Sequence, residues 1–416
     1  MAESGTALSY DWNTEGGPRP AQVPAVTFDD ETLRDGLQSP SVAHPTVAER
    51  LQFLELAAAV GVTAADVGLP GAGARAAREA EAVCHGLFAA RLPIVPNCAA
   101  RARREDLEPI VDIAQRIGHP DEAAIFLGSS PLRCRVEGWS LGDLLARTEE
   151  SVAFAVAHGA PVTFVAEDTT RSHPEDLRRL FLTAIRAGAT RLCLADTAGQ
   201  ADPFGAVRLV RFARGVLHDA GATGVGLDWH GHNDRGLAVA NALAAAWAGA
   251  GRLHATALGV GERVGNAAME QLLVNARLLG WAQPNLRGLM AYVRQASAMV
   301  GVAIPPSAPV AGRDAFRTST GVHASAILKA GRQGDDELVD LVYSAIPAAW
   351  LGRQQEIEVG PMSGAANVRW WLAAHGYADD ARAVATVLAT AKVADRILDD
   401  DEIRVLVEAA IGSPTQ

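Results

Sequence analysis

The feature that most restricts how this chain can fold is a rhythm. Short β-branched or apolar runs recur at Val26–Asp29, Ala65–Leu69, Pro93–Cys98, Ala123–Leu127, Val162–Ala166, Arg191–Ala195, Val225–Trp229 and Leu253–Leu258. Alanine-rich stretches with helical periodicity lie between them, among them Thr46–Val60, Glu105–Ile117, Leu141–His158, Pro174–Ala187, Pro203–Ala220 and Leu237–Ala250. These close on Gly61, Gly118, Gly159, Gly188, Gly221 and Gly251, the residue type that tolerates the left-handed end of a helix. Strands alternating with helices build parallel βα units, since a parallel partner needs a long crossover. Eight such units in roughly 250 residues predict a (β/α)8 TIM barrel. A doubly wound sheet would carry a glycine-rich turn after its first strand. Here that strand runs instead into Glu31-Thr32-Leu33-Arg34-Asp35-Gly36.

Past residue 280 the rhythm stops, Pro305, Pro306 and Pro309 mark a linker, and alanine-rich helices return from Ala381 to Ile411. The expected organisation is a flexible N-terminal arm over residues 1–25, a catalytic barrel over 26–285, and a linker with a smaller, mainly helical C-terminal subdomain over 286–416. A hydrophobic share of 49% against 20% charged residues allows a large core and excludes general disorder. The net charge of −11 argues against a nucleic-acid partner, which would call for a basic surface. It leaves anionic substrates open if one local patch is positive, and Arg34, a metal and Arg133 are the expected patch. Cys84, Cys98, Cys134 and Cys193 form no CxxC pair, so a reduced, cytoplasmic setting is expected. The N-terminus has no basic-then-apolar signal pattern, and no run reaches the ~18 apolar residues of a membrane span.

In a barrel of this kind the reacting groups sit at the C-terminal ends of the strands. His230 and His232 are two apart on a strand, so both rings point to one face. Two imidazoles and a carboxylate make a divalent-metal face with positions left for substrate, and Asp35 at the first strand end can supply the carboxylate. Without that carboxylate, a His-x-His pair is better explained by hydrogen bonding within the rim. Arg34 next to Asp35 is either a rim salt bridge or a donor to a developing oxyanion. Glu167 and Asp168, after the fifth strand, are ordinary loop carboxylates or groups that hold a ligand or Arg34. Gly259, Gly261 and Gly265 allow close backbone approach. Arg133 and Arg135, after the fourth strand, are surface arginines or counter-ions for a second acidic group on a substrate. His323 and Tyr343 lie beyond the barrel, and taken singly each reads as structural.

Three segments then carry a resemblance. Asp30-Glu31-Thr32-Leu33-Arg34-Asp35-Gly36-Leu37-Gln38 resembles the D-x-T-L-R-D-G-x-Q signature of the DRE-TIM metallolyase superfamily, and His230-Gly231-His232-Asn233-Asp234 its H-x-H-N-D signature. Gly259-Val260-Gly261-Glu262-Arg263-Val264-Gly265-Asn266 looks like the G-x-G-E-R-x-G-N loop of the Claisen-condensing branch, the 2-isopropylmalate, homocitrate and citramalate synthases. The resemblance runs from about residue 26 to about residue 375. It implies acetyl-CoA and a 2-oxo acid as substrates, and a divalent metal (Mg2+, Mn2+ or Zn2+) on Asp35, His230 and His232, with Asn266 near or on the ion. It implies that Arg34 polarises the substrate carbonyl or steadies the enolate, that Glu167 matches a catalytic acidic residue, and that Thr197 and Gln38 contact the substrate. Gly261, Glu262 and Asn266 fall in the loop the family uses for its cofactors.

Thr320-Gly321-Val322-His323 is similar to a linker segment that brings a histidine to the active site, and Tyr343 with Gly352-Arg353 and Ser363-Gly364 to the stretch holding a second catalytic group. The resemblance implies a homodimer. The chain departs from the family in three places. Ala324-Ser325 follows His323 where Gln-Asp-Gly is usual, Ala257-Leu258-Gly259 replaces an Asn-Gly form, and the 416 residues are expected to hold no separate effector domain. These departures bear on the acceptor, for which 2-oxoglutarate or phosphonopyruvate come into view if Arg133 faces the site. The alternative activity is a metal-dependent aldol lyase of the 3-hydroxy-3-methylglutaryl-CoA lyase type, but that lyase carries a cysteine in its strand-eight loop and this loop has none. A barrel that binds metal without catalysis is a third reading.

Overall fold

The computed structural model describes residues 10–14 and 25–411. The arm expected over residues 1–25 lies, apart from 10–14 and Ala25, outside the described residues. Eight parallel strands close into a barrel in sequence order: β1 (Thr27–Asp30), β2 (Ala64–Asp66), β3 (Val95–Arg101), β4 (Glu122–Gly128), β5 (Val162–Glu167), β6 (Arg191–Asp196), β7 (Gly226–Gly231) and β8 (Arg252–Ala255). The ring closes where β8 pairs with β1, with Asp29 opposite His254. Between and after the strands run α1 (Val47–Val60), α2 (Ala74–Ala89), α3 (Arg104–Ile117), α4 (Pro131–Glu137), α5 (Leu141–Ala157), α6 (Pro174–Ala187), α7 (Pro203–Asp219), α8 (Ala238–Ala248), α9 (Met269–Leu278) and α10 (Leu289–Val300). The eight-unit reading of the sequence and the barrel therefore agree.

The local chemistry explains the helix ends. Thr46 with Glu49 and Ser140 with Asp143 form capping boxes at the starts of α1 and α5, which satisfy amide groups that a helix start leaves unpaired. Proline opens α6 and α7 at a position whose amide has no intrahelical partner. The left-handed residue after α8 is Gly249, not the expected Gly251, because that helix ends at Ala248.

Strand alternation sorts the side chains. Phe28, Phe164, Leu192, Trp229 and Leu253 are fully or nearly fully buried. With Phe53 and Leu54 of α1 and Phe181 of α6 they belong to the apolar core, each contributing about 1.5–3 kcal/mol of burial. The residues between them on the strands face inward, and many are charged. Arg252 on β8 reaches Glu122 on β4, across the barrel, at 2.7 Å and Asp228 on β7 at 2.7 Å. Asn97 on β3 donates to both oxygens of Asp29 at 3.0 and 2.9 Å. The barrel floor is thus a matched set of acids and bases, not apolar packing.

Contacts divide the described residues into two compact units, one holding residues 25–304 and the other residues 10–14 and 305–411. The second unit contains α11 (Gly321–Arg332), α12 (Asp336–Leu341), α13 (Ala365–Ala374), α14 (Ala381–Val393) and α15 (Asp400–Ile411), with a two-stranded parallel sheet of β9 (Arg317–Thr318) and β10 (Glu356–Ile357). It has its own core, built on Val368, Trp371, Leu372, Val387 and Val407. Cys84, Cys98, Cys134 and Cys193 are all free thiols. Among the described residues no helix is long and apolar enough to cross a membrane.

Candidate metal centre and active site

The C-terminal ends of the strands surround a cavity of about 270 Å3. Arg34, Asp35, Gln38, Arg133, Glu167, Thr197, His230, His232 and Glu262 line it, so nine of the residues singled out from the sequence come together there. Leu69, Phe126 and Val165 form an apolar part of its wall. Ligand atoms of Asp35, His230 and His232 lie within 4.8 Å of one another, and all three residues are buried.

The bonds around these rings decide which nitrogen is left for an ion. Nδ1 of His230 is 2.6 Å from Glu31 Oε2 and Nδ1 of His232 is 3.2 Å from the Gly265 carbonyl. Each acceptor holds a proton on Nδ1 and leaves the Nε2 lone pair for coordination. Burial lowers the His232 pKa to about 4, so this ring is neutral near pH 7. Burial raises the Asp35 pKa, but Arg34 and the two histidines outweigh it and hold the carboxyl below its ordinary range. Asn266 donates from Nδ2 to Asp35 Oδ1 at 2.8 Å. Its own Oδ1 is buried with no hydrogen-bond partner among the described residues. An orphaned buried carbonyl oxygen on a residue bonded to Asp35, with two imidazole lone pairs clustered at the same carboxylate, fits a divalent cation, which takes N and O donors. The loop makes room for this arrangement at Gly261, where a Cβ would fall 2.1 Å from Asn266 Nδ2.

A second trio, Glu31, His230 and His254, also clusters within 4.8 Å. Its lone pairs are already committed. Nδ1 of His254 meets Glu31 Oε1 at 2.9 Å and Nε2 meets Asp228 Oδ2 at 3.2 Å, so both nitrogens face carboxylates. Burial opposes charge on this ring, yet Asp29, Asp228 and Glu31 raise its pKa to about 10. His254 is an imidazolium and not a ligand. Glu31 and His254 were not among the residues picked from the sequence. The signal existed, because Asp29 and Glu31, like Arg252 and His254, repeat the two-residue spacing that selected His230 and His232.

Arg34 donates to Asp66 at 2.7 Å, Asp35 at 2.8 Å and Glu31 at 3.0 Å. Around Arg34 the carboxylates outnumber the guanidinium, so the positive patch expected from Arg34, a metal and Arg133 depends on the cation and not on Arg34 alone. Burial pushes Asp66 up to about 7 even against Arg34. Asp168 does not hold Arg34, as one reading of the sequence expected. It pairs bidentately with Arg171 at 2.7 and 2.8 Å and adopts a left-handed backbone at φ 61°. That turn follows Glu167 at the end of β5. Burial raises the Glu167 pKa, while Arg133 counteracts it. Thr197 accepts from the Asp168 amide at 2.8 Å, which leaves its hydroxyl proton to give. Arg263 clamps the strand-eight loop with two bonds of 2.9 Å to Asp234 and one of 2.7 Å to the Thr197 carbonyl. Arg135 does not line the cavity. In the C-terminal unit the rings of His323 and Tyr343 stack with centroids 3.9 Å apart.

A family profile described as HMGL-like matches residues 25–296. The chain belongs to this family. Within the HMGL-like family, which lies in the DRE-TIM metallolyase superfamily, it resembles the synthase branch. It is 33% identical to the 2-isopropylmalate synthase of Solidesulfovibrio magneticus, over 92% of this chain and 74% of the relative. It is 32% identical to a homocitrate synthase of Methanopyrus kandleri, over 80% of this chain and 79% of the relative. Among solved structures, the hydroxymethylglutaryl-CoA lyase of Pseudomonas aeruginosa matches with a TM-score of 0.54 at 21% identity, covering 66% of this chain and 92% of that one. This last likeness is one of fold.

Proposed function

We propose that this HMGL-like chain condenses acetyl-CoA with a 2-oxo acid and hydrolyses the thioester, giving a 2-hydroxy-2-carboxymethyl acid. The observation that carries the reading is the cluster of Asp35, His230, His232 and the orphaned Asn266 oxygen, set at a cavity in a chain with synthase relatives. A divalent metal held by Asp35, His230 and His232 would supply a Lewis acid that makes the ketone of the 2-oxo acid electrophilic.

The chain's own groups do the rest. Arg34 uses three of its five N–H donors on carboxylates, so two remain for the acceptor's oxygen or the enolate. Thr197 and Gln38 hold the acceptor, and Gly261 and Glu262 the neighbouring loop. Glu167, made more basic by burial, takes a proton from the acetyl methyl group. The methyl carbon then bonds to the ketone carbon, the ketone oxygen gains a proton, and water cleaves the C–S bond to leave a carboxylate and free thiol. The family resemblance alone assigns His323 and Tyr343 to proton transfer, and a homodimer to the assembly.

Arg133 directs the choice of acceptor. A Cβ on Gly128 would fall 2.3 Å from Arg133 Cγ, so the bare backbone at the end of β4 lets the arginine stem lie over it. Arg133 lines the cavity while its guanidinium pairs with Glu137 at 3.0 Å, and an acceptor with an acidic tail, such as 2-oxoglutarate or phosphonopyruvate, would compete for that cation. The test is a panel of 2-oxo acids with acetyl-CoA and Mg2+, Mn2+ or Zn2+, following free thiol. Thiol release is expected, fastest with an acidic-tailed acceptor. No release with any acceptor would sink the condensation.

A further inference from the structure

We propose that Glu31 and His254 are positioning residues: Glu31 aims Nε2 of His230 at the metal position, and His254, held between Glu31 and Asp228, fixes Glu31. The inference rests on the reading of Asp35, His230 and His232 as metal ligands. Glu31 stands at the unrestricted position of the D-x-T-L-R-D-G-x-Q signature, so the device belongs to this chain's own residues and not to the signature.

The geometry is specific. One Glu31 oxygen takes His230 Nδ1 at 2.6 Å, and the other takes His254 Nδ1 at 2.9 Å and Arg34 at 3.0 Å. Both oxygens are thereby occupied, and the side chain is buried. An aspartate, shorter by one carbon–carbon bond of roughly 1.5 Å, would not bridge the two rings from the same backbone position. His254 is anchored from below by Asp228, which is itself tied to Arg191 and Arg252. A continuous line of hydrogen bonds thus runs from the ion-paired floor of the barrel to a metal-facing ring. Removing such a support from a ligating histidine typically costs roughly 10- to 100-fold in metal affinity.

The experiment uses the full chain freed of metal by chelation, Mn2+ as the titrant, and the variants Glu31→Ala, Glu31→Gln, His254→Gln and His232→Ala. Calorimetry reads Mn2+ affinity, and long-range 1H–15N spectra read which ring nitrogens carry protons. In the wild type, His230 should carry its proton on Nδ1 and His254 on both nitrogens. Glu31→Ala should mix the His230 tautomers and weaken Mn2+ roughly 10- to 100-fold. His254→Gln should weaken it less. Glu31→Gln, which keeps the volume, covers the case in which the alanine variant fails to fold, and should also weaken binding. Mn2+ affinity and a His230 tautomer unchanged in the Glu31 variants would overturn the inference while leaving the metal reading intact. Wild-type protein that takes up no more Mn2+ than His232→Ala would overturn both.

Discussion

Two histidine clusters share His230 and differ in what their nitrogens face. At the mouth, His230 and His232 each spend Nδ1 on an oxygen of the protein, leave Nε2 free, and cluster with Asp35, to which Asn266 with its orphaned oxygen is bonded. Below it, His254 spends both nitrogens on carboxylates, within a floor where Arg252 meets Glu122 and Asp228. The rings of His230 and His254 are only 6.3 Å apart. The same residue types therefore serve two ends. Unsatisfied acceptors make a place for a cation, and satisfied ones make a rigid support under it.

The largest expected effect breaks the mouth. His232→Ala removes a neutral donor, so both metal uptake and turnover should be lost. Retained thiol release in this variant would take His232 out of the site. Next comes the floor. Arg252→Met strips the buried Glu122 and Asp228 of a shared cation, and chemical denaturation of the full chain should show a loss of about 3–5 kcal/mol. A change well below that would mean the acids of the floor do not depend on Arg252.

The smallest effect separates the clusters by pH. The pKa of His254 is about 10 in the folded chain against 6.5 for the free side chain. The folded state thus holds a proton that the unfolded state gives up, and the stability this provides is complete below pH 6.5 and lost as pH rises toward 10. The metal-free wild type should therefore lose melting temperature over that range, and His254→Gln should lose less. Parallel curves for the two proteins would show that His254 is not charged in the fold.

Much of this was legible in the chain. The strand–helix alternation predicts the barrel because each period sets which faces are buried, and the two-residue spacing of His230 and His232 puts both rings on one face. The end-of-strand rule gathers Asp35, Glu167, Thr197 and Glu262 without knowledge of contacts. Glu31 and His254 repeat the two-residue spacing of their strands, but what that spacing serves comes from a meeting of residues from the ends of β1, β7 and β8 that the spacing does not assign. The net charge also suggests a positive patch at Arg34, a metal and Arg133; three carboxylates, Glu31 and Asp35 after β1 and Asp66 on β2, surround Arg34, so that patch needs the cation.

The sequence by itself determined the family and the barrel and singled out Asp35, His230 and His232 as candidate metal ligands, because these follow from periodicity and from long motifs in order. Only the tertiary structure decided their states. Whether a histidine is a ligand or a counter-ion, and whether an arginine is free or surrounded, depends on hydrogen-bond partners and burial. Those are set by strands distant in the chain and neighbouring in the barrel.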